Sequence, residues 1–205
     1  LIVPLTLALI GAAAVTIQTV VTLRVARSEA AVAREIAINQ ADDTRLQEYY
    51  TQIGDLLISR GLKEAADDSP LRDLARATTL ATLRAISDGA RKAQLLSFLQ
   101  EADLINRSSQ TIWLFGADFS DLDFKGGVLL PGVYLEFVDF QRADFTDADL
   151  SGGFLAGSFM KYAILENANL RSTNLENSYL SFSNLRGAAL DEANLEFSYL
   201  VAADL

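Results

Sequence analysis

ENANLRSTNLENSYLSFSNLRGAALDEANL, residues Glu166 to Leu195, places Leu170, Leu175, Leu180, Leu185, Leu190 and Leu195 five positions apart. An α-helix returns every 3.6 residues and a strand every two, so neither element produces this count. Followed in fives from Leu205 to Leu130, the position reads Leu, Leu, Leu, Leu, Leu, Leu, Leu, Leu, Leu, Met160, Leu155, Leu150, Phe145, Phe140, Leu135 and Leu130, large and apolar at every step. Two residues earlier stand Ala203, Ser198, Ala193, Ala188, Ser183, Ser178, Thr173, Ala168, Ala163, Ser158, Gly153, Ala148, Ala143, Val138, Val133 and Val128, all small or β-branched.

A five-residue unit cannot bury its apolar side chain alone and must bury it against copies of itself, which is the logic of a solenoid. If five residues form one side, four sides close a coil. The Leu and Phe positions then fill the axis, the small positions let the chain turn the corners, and residues twenty apart stack at strand spacing, about 4.8 Å. Leu114, Phe119 and Phe124 keep the same step, but Phe124 to Leu130 is six residues, so an extra residue is expected around Lys125-Gly126-Gly127, where glycine suits a bulge.

The motif A-[DN]-L-x-x, seen in Ala168-Asn169-Leu170, Ala193-Asn194-Leu195, Ala148-Asp149-Leu150 and Ala203-Asp204-Leu205, resembles the pentapeptide-repeat family. That resemblance implies a right-handed quadrilateral β-helix over about residues 112 to 205. Upstream, Ala75 to Ile105 is similar to the helical segment that precedes the repeats in membrane-anchored members, notably cyanobacterial and actinobacterial ones, and the group brings no catalytic residues with it. Physically, such a segment can cap the open end of the first coil.

Leu1 to Leu23 contains no Asp, Glu, Lys or Arg. At about 1.5 Å per residue it reaches roughly 35 Å, enough for a bilayer core, and reads as a transmembrane helix. Arg24, Arg27 and Arg34 follow it and place the rest of the chain on the cytoplasmic side, at a plasma or thylakoid membrane. Two other readings stay open: a signal peptide cleaved near Ala12–Ala14, and a buried core helix. The chain begins at Leu1 rather than Met and stops at Leu205 within the repeat, so both native ends are expected outside this sequence.

Residues 24–42 read as a helical stalk, rich in Ala, Arg and Glu and free of Pro and Gly. Residues 43–110 read as a small helical module. Leu46, Tyr49, Tyr50, Ile53, Leu56 and Leu57 form an apolar stripe at helical spacing, Ser69-Pro70 starts a second helix running to about Ile86, Asp88-Gly89 marks a turn, and Ala90 to about Ala102 forms a third helix. The fold class is thus α+β: transmembrane helix, stalk, helical module, then a β-solenoid over residues 111–205.

With no Cys and no His, the chain has no disulfide, no thiolate or imidazole metal site and no Ser-His-Asp arrangement. Residues 1–110 hold 12 Lys/Arg against 13 Asp/Glu, whereas residues 111–205 hold 5 against 14. An acidic solenoid repels nucleic-acid phosphates. Asp118, Asp123, Asp139, Asp144, Asp149 and Asp204 precede the inward residue and point outward; they are read as a soluble face bonding to nearby backbone rather than as a metal site. No catalytic residue, cofactor, metal or small-molecule substrate is expected.

Twenty-residue stacking puts Tyr199 over Tyr179 over Phe159, with Phe182 and Tyr162 on the same side and Phe197 at the preceding corner. The side carrying Asp191 and Glu192 is polar by contrast, with Asn169, Asp149 and Arg171. The six aromatics are either a protein-binding patch or a ladder of mutually stabilising rings, and spacing alone leaves both open. The expected function is a non-enzymatic, membrane-anchored scaffold or accessory subunit docking onto a larger membrane complex, a photosynthetic one being what the resemblance suggests. The other class is an acidic DNA mimic acting on a topoisomerase.

Overall fold

The computed structural model describes residues 3–106, 110–124 and 128–205, with side chains from residue 22 onward. Helix α1 runs Val3–Ile58. It belongs to two compact units, Leu1–Ala41 and Asp42–Leu205. In the first, the side chains of residues 22–38 are all exposed. Among the described residues no helix is long and apolar enough to cross a membrane. The transmembrane helix expected at 1–23, and the single-pass cytoplasmic placement drawn from it, are therefore unsupported by the structure; all but the last two side chains they rest on lie outside the described residues.

In the second unit the stripe on α1 buries Leu46, Tyr49, Ile53 and Leu56, with Tyr50 and Leu57 partly covered. Helix α2, Pro70–Ala85, starts where the Ser69 hydroxyl accepts the Leu71 N–H at 3.1 Å and Pro70 takes the first turn. Helix α3, Gly89–Glu101, turns Leu95, Leu96 and Leu99 fully inward. Asp88 and Gly89 are not a free turn: Asp88 is the N-cap of α3, accepting the Arg91 N–H at 2.8 Å, and Gly89 is its first residue. The reason is tertiary. A Cβ on Gly89 would sit 2.1 Å from the Asp121 carbonyl oxygen, so only glycine lets α3 approach the first coil this closely.

From Leu114 onward the chain winds in four five-residue sides. Parallel bridges link Leu129 to Asp149, Asp149 to Asn169 and Asn169 to Ala189, twenty residues apart, and the other three sides repeat that register. Pairing takes the form of single bridges rather than extended strands, because each side spends two of its five residues on a turn. Lower down, Asp118 pairs with Asp139 and Asp123 with Asp144, twenty-one apart. The extra residue thus lies between Asp123 and Leu129; the bulge expected at Lys125-Gly126-Gly127 itself falls outside the described residues.

The axis is filled as the five-residue count requires. Every large apolar position from Leu114 to Leu185 is buried, Phe119 and Phe140 stack at 5.7 Å, and the small positions between them are buried too, except for the half-buried Val128. Burial falls to partial at Leu190, Leu195 and Leu200, and Leu205 is 72% exposed. At the other end, Asn106 bridges Val133 antiparallel and the Ile105 carbonyl accepts the Tyr134 N–H at 2.8 Å. The first coil's edge is covered by this short segment as well as by helices, which answers the exposed-edge problem. One continuous core runs from Leu46 through the helices into the solenoid.

Candidate functional site

Each corner is made by the two residues after the inward Leu or Phe, not by the small position as the spacing suggested. The N–H of the small residue bonds back to the inward residue's carbonyl, as from Ala148 to Phe145 and from Ala168 to Leu165, closing a four-residue turn. Among the described residues the second corner residue has positive φ throughout: Asp121, Arg142, Asp147, Asn167, Ser172, Asn177 and Glu192 among others. Gly132, Gly152, Gly157 and Gly187 occupy the same position without strain.

The residue before the inward position has its own task. Asp139, Asp144, Asp149, Asn174, Asn184 and Asn194 accept the backbone N–H two residues on, at 2.9–3.1 Å. Asp and Asn at this position stabilise the turn that follows. Cross-coil pairs add to them: Asn169 donates to Asp149 at 3.0 Å, Arg171 pairs with Asp191 at 2.9 Å and Arg142 clasps Asp121 through both oxygens. Hydrogen bonding from Arg142, opposed by burial and aided by the Arg142 and Lys92 charges, holds the Asp121 carboxyl below the usual range.

Against this polar pattern, one side departs. Phe159, Tyr179 and Tyr199 occupy the turn-capping position and stack face to face at 5.0 and 4.9 Å, with interplanar angles of 10° and 4°. Tyr162 and Phe182 occupy the positive-φ corner beside them, at φ 62° each, and stack at 5.3 Å. Phe197 occupies the preceding corner at φ 58° and is 69% exposed. The Lys161 ammonium lies 5.0 Å from the Tyr162 ring centre and 5.5 Å from that of Phe182. The structure therefore brings five of the six expected residues together on one side, with Phe197 at its edge.

Five further aromatics extend this surface and escaped the sequence reading. Trp113, Tyr134 and Phe154 form a second ladder on the adjoining side, with ring separations of 6.4 and 5.6 Å. Phe115 and Phe137 meet at 5.2 Å, and the Phe137 ring lies where a Cβ on Gly157 would be, 2.4 Å from it. The signal was available: below the insertion the stacking interval is twenty-one, so Trp113 to Tyr134 belongs to the same column logic.

A bulky residue at positive φ is disfavoured by about 1–2 kcal/mol, a cost asparagine largely escapes. Phe197→Asn should accordingly raise the melting temperature of the solenoid by several degrees, an effect of about 1 kcal/mol readable by circular dichroism. A lowered melting temperature would show that the Phe197 ring is held for packing.

Residues 114–161, 154–187 and 168–205 match the family described as "Pentapeptide repeats (8 copies)". Solved structures similar to this chain include a pentapeptide-repeat protein of the Arabidopsis thaliana thylakoid lumen, 24% identical over 42% of this chain and 59% of that one, TM-score 0.40. Another is a pentapeptide-repeat protein of Nostoc, 29% identical over 42% and 65%, TM-score 0.29. QnrB1, a plasmid-mediated fluoroquinolone resistance protein, is 21% identical over 44% and 49%, TM-score 0.21. This chain spans less than two thirds of the length of each. No curated protein matches it. Pentapeptide-repeat proteins are in general structural or interaction proteins rather than enzymes. In its five-residue period and its matched repeats, the region from Leu114 to Leu205 is similar to the pentapeptide repeats.

Proposed function

We propose that this protein is a non-enzymatic scaffold or accessory subunit that holds another protein against the aromatic side of its solenoid. The observation that carries this reading is the local cost of that side. Phe159, Tyr179 and Tyr199 stand where Asp or Asn elsewhere bonds the next turn's N–H, a bond worth about 0.5–1.5 kcal/mol. Tyr162, Phe182 and Phe197 stand at positive φ, a position held at other corners mostly by glycine or by polar residues such as Arg142, Ser172, Asn177 and Glu192. Ring stacking returns about 0.5–1.5 kcal/mol per pair. That roughly offsets the forfeited turn bonds and leaves the corner strain uncompensated. All six rings remain 41–69% exposed, so the fold gains little by keeping them. Strain retained at an exposed, contiguous apolar surface is what a binding site accounts for.

In this reading Leu1–Leu23 anchors the chain in a bilayer, on the strength of its uncharged length alone. Tyr179→Ser with Tyr199→Ser, made in the full chain and purified from native membranes in mild detergent, should lose the co-purifying partner while the circular dichroism spectrum is unchanged. A partner retained by the double variant would refute docking through this side. The acidity of the solenoid favours a second reading, a DNA mimic acting on a topoisomerase. Inhibition of gyrase supercoiling by the purified chain would support it, and the aromatic side speaks against it.

A further inference from the structure

The charges of the solenoid are not evenly satisfied. Arg142 pairs with Asp121, Arg171 with Asp191 and Arg186 with Asp204, and the Lys161 ammonium lies over the Tyr162 and Phe182 rings. Glu176 and Glu196 occupy the first corner position twenty residues apart on the side adjoining the aromatic one, one coil above the other, and neither forms an ion pair among the described residues. Beyond them in sequence, across the corner at Asn177 and Phe197, stand Tyr179 and Tyr199. Two like charges at strand spacing repel, and among the described residues no cation pairs with either, the Asn177 amide donating to Glu176 at 3.2 Å.

Resting on the docking reading, we infer that the partner is basic: a protein segment whose arginine or lysine head groups pair with Glu176 and Glu196 while their aliphatic stems lie along the exposed edges of the stacked Tyr179 and Tyr199 rings. Charge complementarity argues for this, since residues 111–205 carry 14 acidic against 5 basic groups and three of those five are already paired within the solenoid. The molecule also displays the chemistry on itself. The Lys161 ammonium lies beside the Tyr162–Phe182 stack, as the stem of a partner's basic side chain would lie along the tyrosine ladder one step away, with a carboxylate there to receive its charge.

The test uses the full chain in neutral detergent, at physiological ionic strength, with a fluorescein-labelled oligo-arginine peptide and a neutral Trp-Ser peptide of the same length, read by anisotropy. Glu176→Gln with Glu196→Gln should weaken oligo-arginine binding about tenfold, and Tyr179→Ser with Tyr199→Ser should weaken it about as much. Asp147→Asn with Glu166→Gln removes the same charge from a different side and should change it less than about twofold. Equal weakening by both charge-removing pairs would mean that the peptide follows net charge alone, and would overturn the inference. If the neutral peptide binds in a Tyr179- and Tyr199-dependent manner and the glutamate pair has no effect, docking stands and a basic partner is refuted. If the tyrosine pair affects neither peptide, both fall.

Discussion

Asp42→Ala should cost the compact unit about 3 kcal/mol and loosen the helical module before the solenoid, because it removes a buried charge with every one of its partners in place. The Asp42 side chain is 1% exposed. One oxygen accepts both the Ser87 N–H and the Ser87 hydroxyl at 3.1 Å, and the other accepts Arg45 at 2.7 Å. It thereby ties the link between α2 and α3 to α1. Alanine would leave the Ser87 donors facing a dry gap and Arg45 without a counter-charge; Arg45 is 43% exposed and recovers solvation, which sets the effect near the lower end for broken buried pairs. Trp113, the one tryptophan of the chain, reports on the loss, since the Arg76 guanidinium of α2 binds its carbonyl at 2.9 Å. An early shift of its fluorescence in urea is the expected result, and unfolding coincident with wild type would show that Asp42 carries no such burden.

The same residue makes a pH dependence of definite sign. Burial pushes the Asp42 carboxyl up, and the Ser87 backbone, the Ser87 hydroxyl and Arg45 together pull it further down, so that it ends below the ordinary carboxylate value. A carboxyl depressed on folding stabilises the native state above its unfolded value, near pH 4, and that stability disappears as pH falls through the folded value. Asp42→Asn keeps the shape and removes the charge. Its deficit against wild type should therefore be full at neutral pH and close toward zero in strong acid.

Asp42 was invisible in the sequence, where it stood as one of several acids in a polar helix. Its importance comes from a partner 45 residues away, and local spacing carries no trace of that. The solenoid was legible for the opposite reason: its contacts recur at fixed intervals, so one count over Leu130 to Leu205 foretold the axis, the register and the Tyr179–Tyr199 stack. Where the interval changed, at the insertion after Asp123, legibility failed in part, and the Trp113–Tyr134–Phe154 ladder was missed. The corners were misplaced because smallness marks two different needs. Ala168 is small since it points into a crowded axis, while Gly152 is glycine since its φ is 65°.

Gly89 shows the same ambiguity at larger expected cost. Beside Asp88 it suggested a turn, yet its role is contact: the ideal Cβ of an alanine would lie 2.1 Å from the Asp121 carbonyl oxygen and 3.2 Å from the Asp123 nitrogen. Both are backbone atoms of the first coil, fixed by bonds to the next one, the Asp121 N–H to Gln141 at 3.0 Å and the Phe124 N–H to Asp144 at 3.0 Å. They cannot yield as a flexible side-chain tip would. Gly89→Ala gains helix propensity, up to about 1 kcal/mol, which alone would stabilise α3. The overlap must instead lift α3 from the coil, straining the bond of the buried Lys92 ammonium to the Ser120 carbonyl at 3.2 Å, and overpacking of this kind costs about 1–3 kcal/mol or more. The sign is thus set by the clash. Hydrogen exchange should show Gly89→Ala losing protection in α3 and in residues 118–124 together while residues 165–185 stay protected, and Gly89→Val should lose more. An alanine variant as protected as wild type, or more so, would mean that α3 does not rest on the coil through this residue.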